Sequence, residues 1–94
     1  MSSRLIRREI VFHGHVQGVG FRWTVASLAE AEDLAGWVRN EPDGTVRMVV
    51  EGAQSAIEGL LVSIEDRLPG HINRREDLES APNGEFSGFR ILRG

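Results

Sequence analysis

The sequence predicts an α+β sandwich, one sheet covered on one face by two helices, in the order β-α-β-β-α-β with a short fifth strand allowed at the end. Three observations carry this reading. Apolar and polar residues alternate in several short segments, two longer segments repeat apolar residues at helical spacing, and clusters of Gly, Pro, Asn and Asp punctuate the intervals. That order is the split βαβ arrangement, expected here as an antiparallel sheet with both helices on the same side.

Alternation around Ile10 and Phe12 predicts a first strand over residues 5–13, with those two side chains facing a core. Phe21, Val25, Leu28 and Ala29 then follow the helical period, which predicts a first helix over residues 21–32. A second strand begins at Leu34 or Gly36 and runs to Asn40, and a third covers residues 45–51 with Val46, Met48 and Val50 on one face. Between them Glu41-Pro42-Asp43-Gly44 has the chemistry of a turn.

Ser55 followed by Glu58 reads as a capping box opening a second helix, whose buried stripe is Ile57, Leu60, Leu61, Ile64 and Leu68. Leu68-Pro69-Gly70 ends it. Residues 73–79 are read as a fourth strand, expected to fray because Arg75 and Asp77 interrupt the apolar alternation. Ala81-Pro82-Asn83-Gly84 is a turn, and residues 86–92 form a last strand with Phe89 and Ile91 inward.

Composition narrows the function. Ninety-four residues make one domain, 1–94, since a chain of this size buries roughly 60–65% of its unfolded surface and supports a single core. With 14 acidic residues against 11 basic ones, a net charge of −3, the chain has no broad basic face for nucleic acid. No cysteine is present, which excludes disulfide and thiolate chemistry. The N-terminal residues 1–8 lead into no apolar signal core and no stretch is long enough to span a membrane, so a cytoplasmic monomer is the expectation.

The most informative stretch is Gly14-His15-Val16-Gln17-Gly18-Val19-Gly20-Phe21-Arg22, which joins a strand to a helix through glycines and ends on a guanidinium. Glycines let the backbone adopt positive φ and turn successive N–H groups into one concavity, and the helix start adds its own unpaired N–H groups and positive dipole end. Arg22 can add two parallel charge-assisted hydrogen bonds to a phosphate or carboxylate. The lysine-ended P-loop is excluded, because all eleven basic residues are arginine, and the spacing is not G-x-G-x-x-G. An oxyanion ligand is therefore the first hypothesis, against the alternative that the loop is an ordinary glycine-rich turn.

That stretch resembles the first signature of the acylphosphatases. Gly36-Trp37-Val38-Arg39-Asn40, followed by Asp43-Gly44-Thr45-Val46 and Gly52, resembles the second, so the likeness covers residues 10–52. The resemblance implies a ferredoxin-like sandwich that hydrolyses the carboxyl–phosphate bond of acyl phosphates without metal or cofactor. It also implies that Arg22 is the catalytic phosphate-binding arginine, that Asn40 orients the attacking water, and that His15, Val16, Gln17, Gly18, Val19, Gly20 and Phe21 form the cradle. Inorganic phosphate or sulfate is then expected to occupy the same site, with no nucleic-acid or membrane partner. Several positions depart from the family's habit: Phe12 replaces an aliphatic residue, Asp33 stands where many relatives have the glycine of a left-handed helix cap and is therefore expected to have a positive φ, Arg75 and Asp77 interrupt a usually apolar alternation, and Glu41 adds a negative charge beside Asn40.

The chemistry of the residues agrees with that likeness. A mixed carboxylic–phosphoric anhydride carries a good leaving group, so its hydrolysis needs positioning and charge stabilisation more than a strong base. The competing roles are specific. Arg22 could instead pair with an acidic side chain, and Asn40 seen alone would be a turn residue. Gln17 is expected to shape the loop through its amide, Trp23 and Trp37 to pack, and His13, His15 and His71 lack metal-ligand spacing. A non-catalytic phosphate-binding or accessory domain of the same fold is the alternative function; an RNA-binding module would need exposed aromatics on central strands and a basic surface.

Overall fold

The computed structural model describes residues 4–93; Met1 to Ser3, part of the stretch read for a signal core, and Gly94 lie outside the described residues. The elements are β1 (Leu5–Gly14), α1 (Phe21–Ala31), β2 (Ala35–Asn40), β3 (Val46–Ala53), α2 (Gln54–Arg67), β4 (Ile72–Ser80) and β5 (Phe89–Leu92). They form one five-stranded sheet in the order β4-β1-β3-β2-β5. No described helix is long and apolar enough to cross a membrane.

Period-2 patterning in the strands and period-3.6 patterning in the helices meet in a single core. Ile6, Ile10 and Phe12 of β1, Val38 of β2, and Val46, Met48 and Val50 of β3 are buried beneath Phe21, Val25 and Ala29 of α1 and Ile57, Leu60, Leu61 and Ile64 of α2. Phe12, the unusual aromatic, is fully buried with its ring edge-on to Phe21, centroids 5.2 Å apart. The first residue of α1 is thereby fixed over the end of β1. Helix α1 closes as expected: Asp33 has φ +59°, and the N–H groups of Asp33 and Leu34 return to the carbonyls of Glu30 (3.2 Å) and Ala29 (3.1 Å), a Schellman closure.

Four expectations are corrected. The sheet is mixed rather than wholly antiparallel, because β5 runs parallel to β2. Residues 81–88 carry the chain from Ser80, opposite Arg7, to Phe89, opposite Gly36 at the start of β2, so the last strand must leave in the direction of β2. The fourth strand is not frayed: eight of the nine residues of β4 pair with β1, and ion pairs replace the missing apolar contacts, with Arg8–Asp77 at 2.5 Å and Arg75–Asp77 and Arg4–Glu79 both at 2.9 Å. Helix α2 starts two residues earlier than a Ser55 cap requires, with Ala53 at the N-cap and the Gln54 amide donating to the carbonyl of Arg4 (2.8 Å). Finally, Ile91 is 44% exposed, and Phe86 lies outside β5 with its ring 5.0 Å from the Arg7 guanidinium.

Candidate active site

The loop between β1 and α1 is held at three points before it meets any ligand. At its start the His15 amide donates to the His71 carbonyl (2.8 Å), and the Nδ1 of His71 donates back to the His15 carbonyl (2.9 Å). Gly14 permits this approach, since a Cβ there would stand 2.2 Å from the His71 oxygen. In its middle Val16 is buried, and Gln17 Nε2 donates to the carbonyls of Glu41 and Thr45, both at 2.9 Å. Gln17 therefore shapes the loop and ties it to the β2–β3 hairpin, as its amide suggested. At its end Gly20 caps α1 in the left-handed region, φ 74° and ψ 19°.

Held in this way, the loop offers donors. Among the described residues, the N–H groups of residues 16–20 have no protein acceptor, and those of Phe21, Arg22 and Trp23 belong to the helix start, where no intrahelical carbonyl is available. The first turn of α1 carries no acidic side chain to occupy that dipole end. Several of these residues border an open cleft of about 210 Å³, lined by Val16, Gly18, Gly20, Phe21, Arg22, Trp23, Asn40 and Ile91. His15, Gln17 and Val19, which the resemblance placed in the cradle, do not line it. The His15 amide is already bonded to His71, so that residue cannot donate to an anion there.

Arg22 projects from the first turn of α1, and its guanidinium is steadied by one hydrogen bond to the carbonyl of Leu92 (3.0 Å). It has no carboxylate partner among the described residues, so the ion-pair role is not the one it plays. Asn40 ends β2 in the same cleft, and its Oδ1 is buried with no hydrogen-bond partner. Leaving a buried acceptor unsatisfied costs on the order of 1–3 kcal/mol, so this oxygen stands ready to accept a donor. The hairpin beyond is fixed by Asp43, whose carboxylate accepts the Thr45 hydroxyl (2.6 Å) and amide (3.0 Å); these bonds, the hydroxyl first, hold its pKa below the ordinary aspartate value. Glu41 does not burden the site as its sequence position suggested. Arg39 pairs with it at 2.7 Å and Arg47 stands 3.8 Å away.

Sequence reasoning missed two contributors. Trp23 was expected to pack, yet it is 66% exposed on the rim of the cleft. The signal was available: Phe21, Val25 and Ala29 define the buried stripe of α1, and position 23 falls off it. The Leu92 carbonyl that holds Arg22 had no such signal, because a backbone contact across 70 residues leaves no pattern in side chains. Among the described residues no three His, Asp or Glu side chains converge as a metal site.

Comparison with known proteins agrees with this geometry. The family model described as acylphosphatase matches residues 8–91. A curated acylphosphatase of Trichormus variabilis is 48% identical over 91 residues, covering 97% of this chain and 90% of the relative. One from Acaryochloris marina is 36% identical over 93 residues, covering 99% and 100%. The crystal structure of acylphosphatase from Bacillus subtilis superposes with a TM-score of 0.85 at 32% identity, covering 93% of this chain and 98% of that one. A strand–glycine loop–helix cradle, an arginine in its first helical turn and an asparagine at the end of β2 thus sit within a match spanning nearly the whole chain, and the chain belongs to the acylphosphatase family.

Proposed function

We propose that this chain hydrolyses the carboxyl–phosphate bond of small acyl phosphates, giving a carboxylate and inorganic phosphate. Family membership supports the reaction, and the observation that carries the mechanism is the buried, unpartnered Oδ1 of Asn40 in the same cleft as the free loop amides and Arg22. The amides and the guanidinium hold the phosphate oxygens and stabilise the charge that shifts among them in the transition state. Asn40 accepts one hydrogen of a water and fixes its approach to phosphorus in line with the leaving group. The bond from water oxygen to phosphorus forms as the bond to the carboxyl oxygen breaks, the carboxylate leaves with the electron pair, and the water proton passes to a substrate oxygen. No protein group is covalently modified, and the enzyme acts as a cytoplasmic monomer without metal.

The test is release of phosphate from benzoyl phosphate in excess chelator by the wild type, Arg22→Ala and Asn40→Ala. Wild-type activity is expected to survive the chelator, and each variant to lose on the order of 10²–10³-fold in kcat. Arg22→Ala should also weaken inhibition by inorganic phosphate, while Asn40→Ala should not, because only the first holds the anion. A folded wild type that releases no phosphate would leave the accessory phosphate-binding role in its place.

A further inference from the structure

Two of the large apolar side chains that the structure leaves exposed stand on the rim of a single cleft: Trp23, 66% exposed, and Ile91, 44% exposed. Neither belongs to the core. Trp23 projects from the side of α1 away from its buried stripe, and Ile91 sits on the edge strand two residues beyond the buried Phe89. Arg22 is the only charged side chain in the lining of that cleft, and its guanidinium is bonded to the Leu92 carbonyl. The phosphate end is served by amides and the guanidinium, and the apolar rim is left for something else.

Resting on the acyl-phosphate reading, we infer that Trp23 and Ile91 recognise the acyl group and select acyl phosphates whose acyl part is apolar, aromatic ones above all. The acyl carbon is tethered to phosphorus through one oxygen, so a phosphate seated among the amides of residues 16–20 brings its acyl group to the cleft rim. An aromatic acyl group there removes apolar surface of both side chains from water and can stack on the indole. An acetyl group is too small to reach across both. A second carboxylate, as on a dicarboxylic acyl group, meets no free cation in the lining.

The experiment is binding rather than turnover, so that it is independent of hydrolysis. Benzoylphosphonate and acetylphosphonate, whose carbon–phosphorus bond replaces the scissile one, are titrated calorimetrically into wild type, Trp23→Ala, Trp23→Phe and Ile91→Thr, with inorganic phosphate reporting the cradle by itself. Wild type is expected to prefer benzoylphosphonate by about tenfold or more, from a contact worth roughly one large apolar side chain. Trp23→Ala should bring the two ligands within about twofold, Trp23→Phe should keep most of the preference, and Ile91→Thr should fall between, giving a reading even if Trp23→Ala misfolds. Equal affinities in the wild type, or a preference untouched by both Trp23→Ala and Ile91→Thr, would overturn the assignment, as would failure of benzoylphosphonate to bind where phosphate does. A chain that discriminates between the phosphonates but hydrolyses nothing would instead remove the proposed reaction and leave the recognition standing.

Discussion

At one edge of the sheet β4 runs for nine residues with every side chain after Ile72 exposed, whereas at the other β5 runs for four residues and buries Phe89. The longer edge is held by its backbone ladder to β1 and by charge: Arg8 and Arg75 on Asp77, Arg4 on Glu79, and His13 at 2.5 Å from Glu76. The shorter edge is held by a parallel ladder to β2 and by its part in the site, since the Leu92 carbonyl accepts from Arg22 and Ile91 lines the cleft. Each edge exposes an apolar residue, Leu78 on β4 and Ile91 on β5, but only the second borders the amides and Arg22. Length of pairing and importance to function thus run in opposite directions. A charged edge also resists pairing with another chain, so β4 protects the sheet while β5 completes the site.

The largest effect is therefore expected from the shorter edge. A variant ending at Arg90 loses the Leu92 carbonyl and the pairing of Ile91 and Leu92 with Val38 and Arg39. With Arg22 no longer steadied, hydrolysis of benzoyl phosphate should fall on the order of 10²-fold, the scale set by misplacing a group by about 1 Å. Far-UV circular dichroism should retain both helices. Activity near that of the full chain would show that β5 is as dispensable to the site as β4.

Next in size is the link between the edges. Residues 81–88 are tied to the sheet by Glu51, 7% exposed, which accepts from the amides of Asn83 and Gly84, both 3.1 Å, and from Arg7 at 3.0 Å. Burial pulls the Glu51 pKa upward, but those three donors outweigh it and leave it below the ordinary glutamate value of 4.5. A depressed folded-state pKa means that Glu51 stabilises the fold above its unfolded value and loses this contribution as pH falls through the folded one. Glu51→Gln should destabilise by about 2 kcal/mol at pH 7 through its charge-assisted bonds. In urea titrations the gap between the two proteins should narrow as pH falls below 4.5; a gap that widened would reverse the sign.

The two edges also differ in how far they could be read in advance. Strands and helices whose residues face the core were legible, because Ile10, Phe12, Val46, Met48 and Val50 at period two, and Ile57, Leu60, Leu61 and Ile64 at helical period, record the face they bury. The left-handed turn at Asp33 was legible through the resemblance, which puts a glycine cap at that position. The left-handed turns of the loop were legible at Gly18 and Gly20, since positive φ leaves a mark on residue type. The β4 edge was not, because its ordering rests on partners such as Arg8 and Asp77, 69 positions apart, and ion pairs impose no period. The direction of β5 was hidden for a related reason: it is set by where residues 81–88 cross, and Glu51 holds that crossing through backbone amides that any sequence possesses. Asn40 was singled out through the resemblance, but that its Oδ1 is buried without a partner appears only in the packed structure.

The smallest effect is expected on the longer edge. Asp77 receives Arg8 and Arg75, and although burial raises its pKa, those two guanidinium groups outweigh it and hold the carboxyl below its ordinary value. The pairs are partly open to solvent, which limits their worth. Asp77→Asn should therefore cost about 1 kcal/mol or less in low salt, and the difference should shrink further in 1 M salt as the Debye length contracts to about 3 Å. Activity should not change, because Asp77 lies on the far side of β1 from β2 and borders no part of the cleft. A loss of several kcal/mol would mean that the two ion pairs are worth far more than exposed pairs usually are, and one insensitive to salt that Asp77 acts through its hydrogen bonds rather than its charge. No loss at all would leave the backbone ladder to β1 as what orders β4, since its eight pairs persist in the variant.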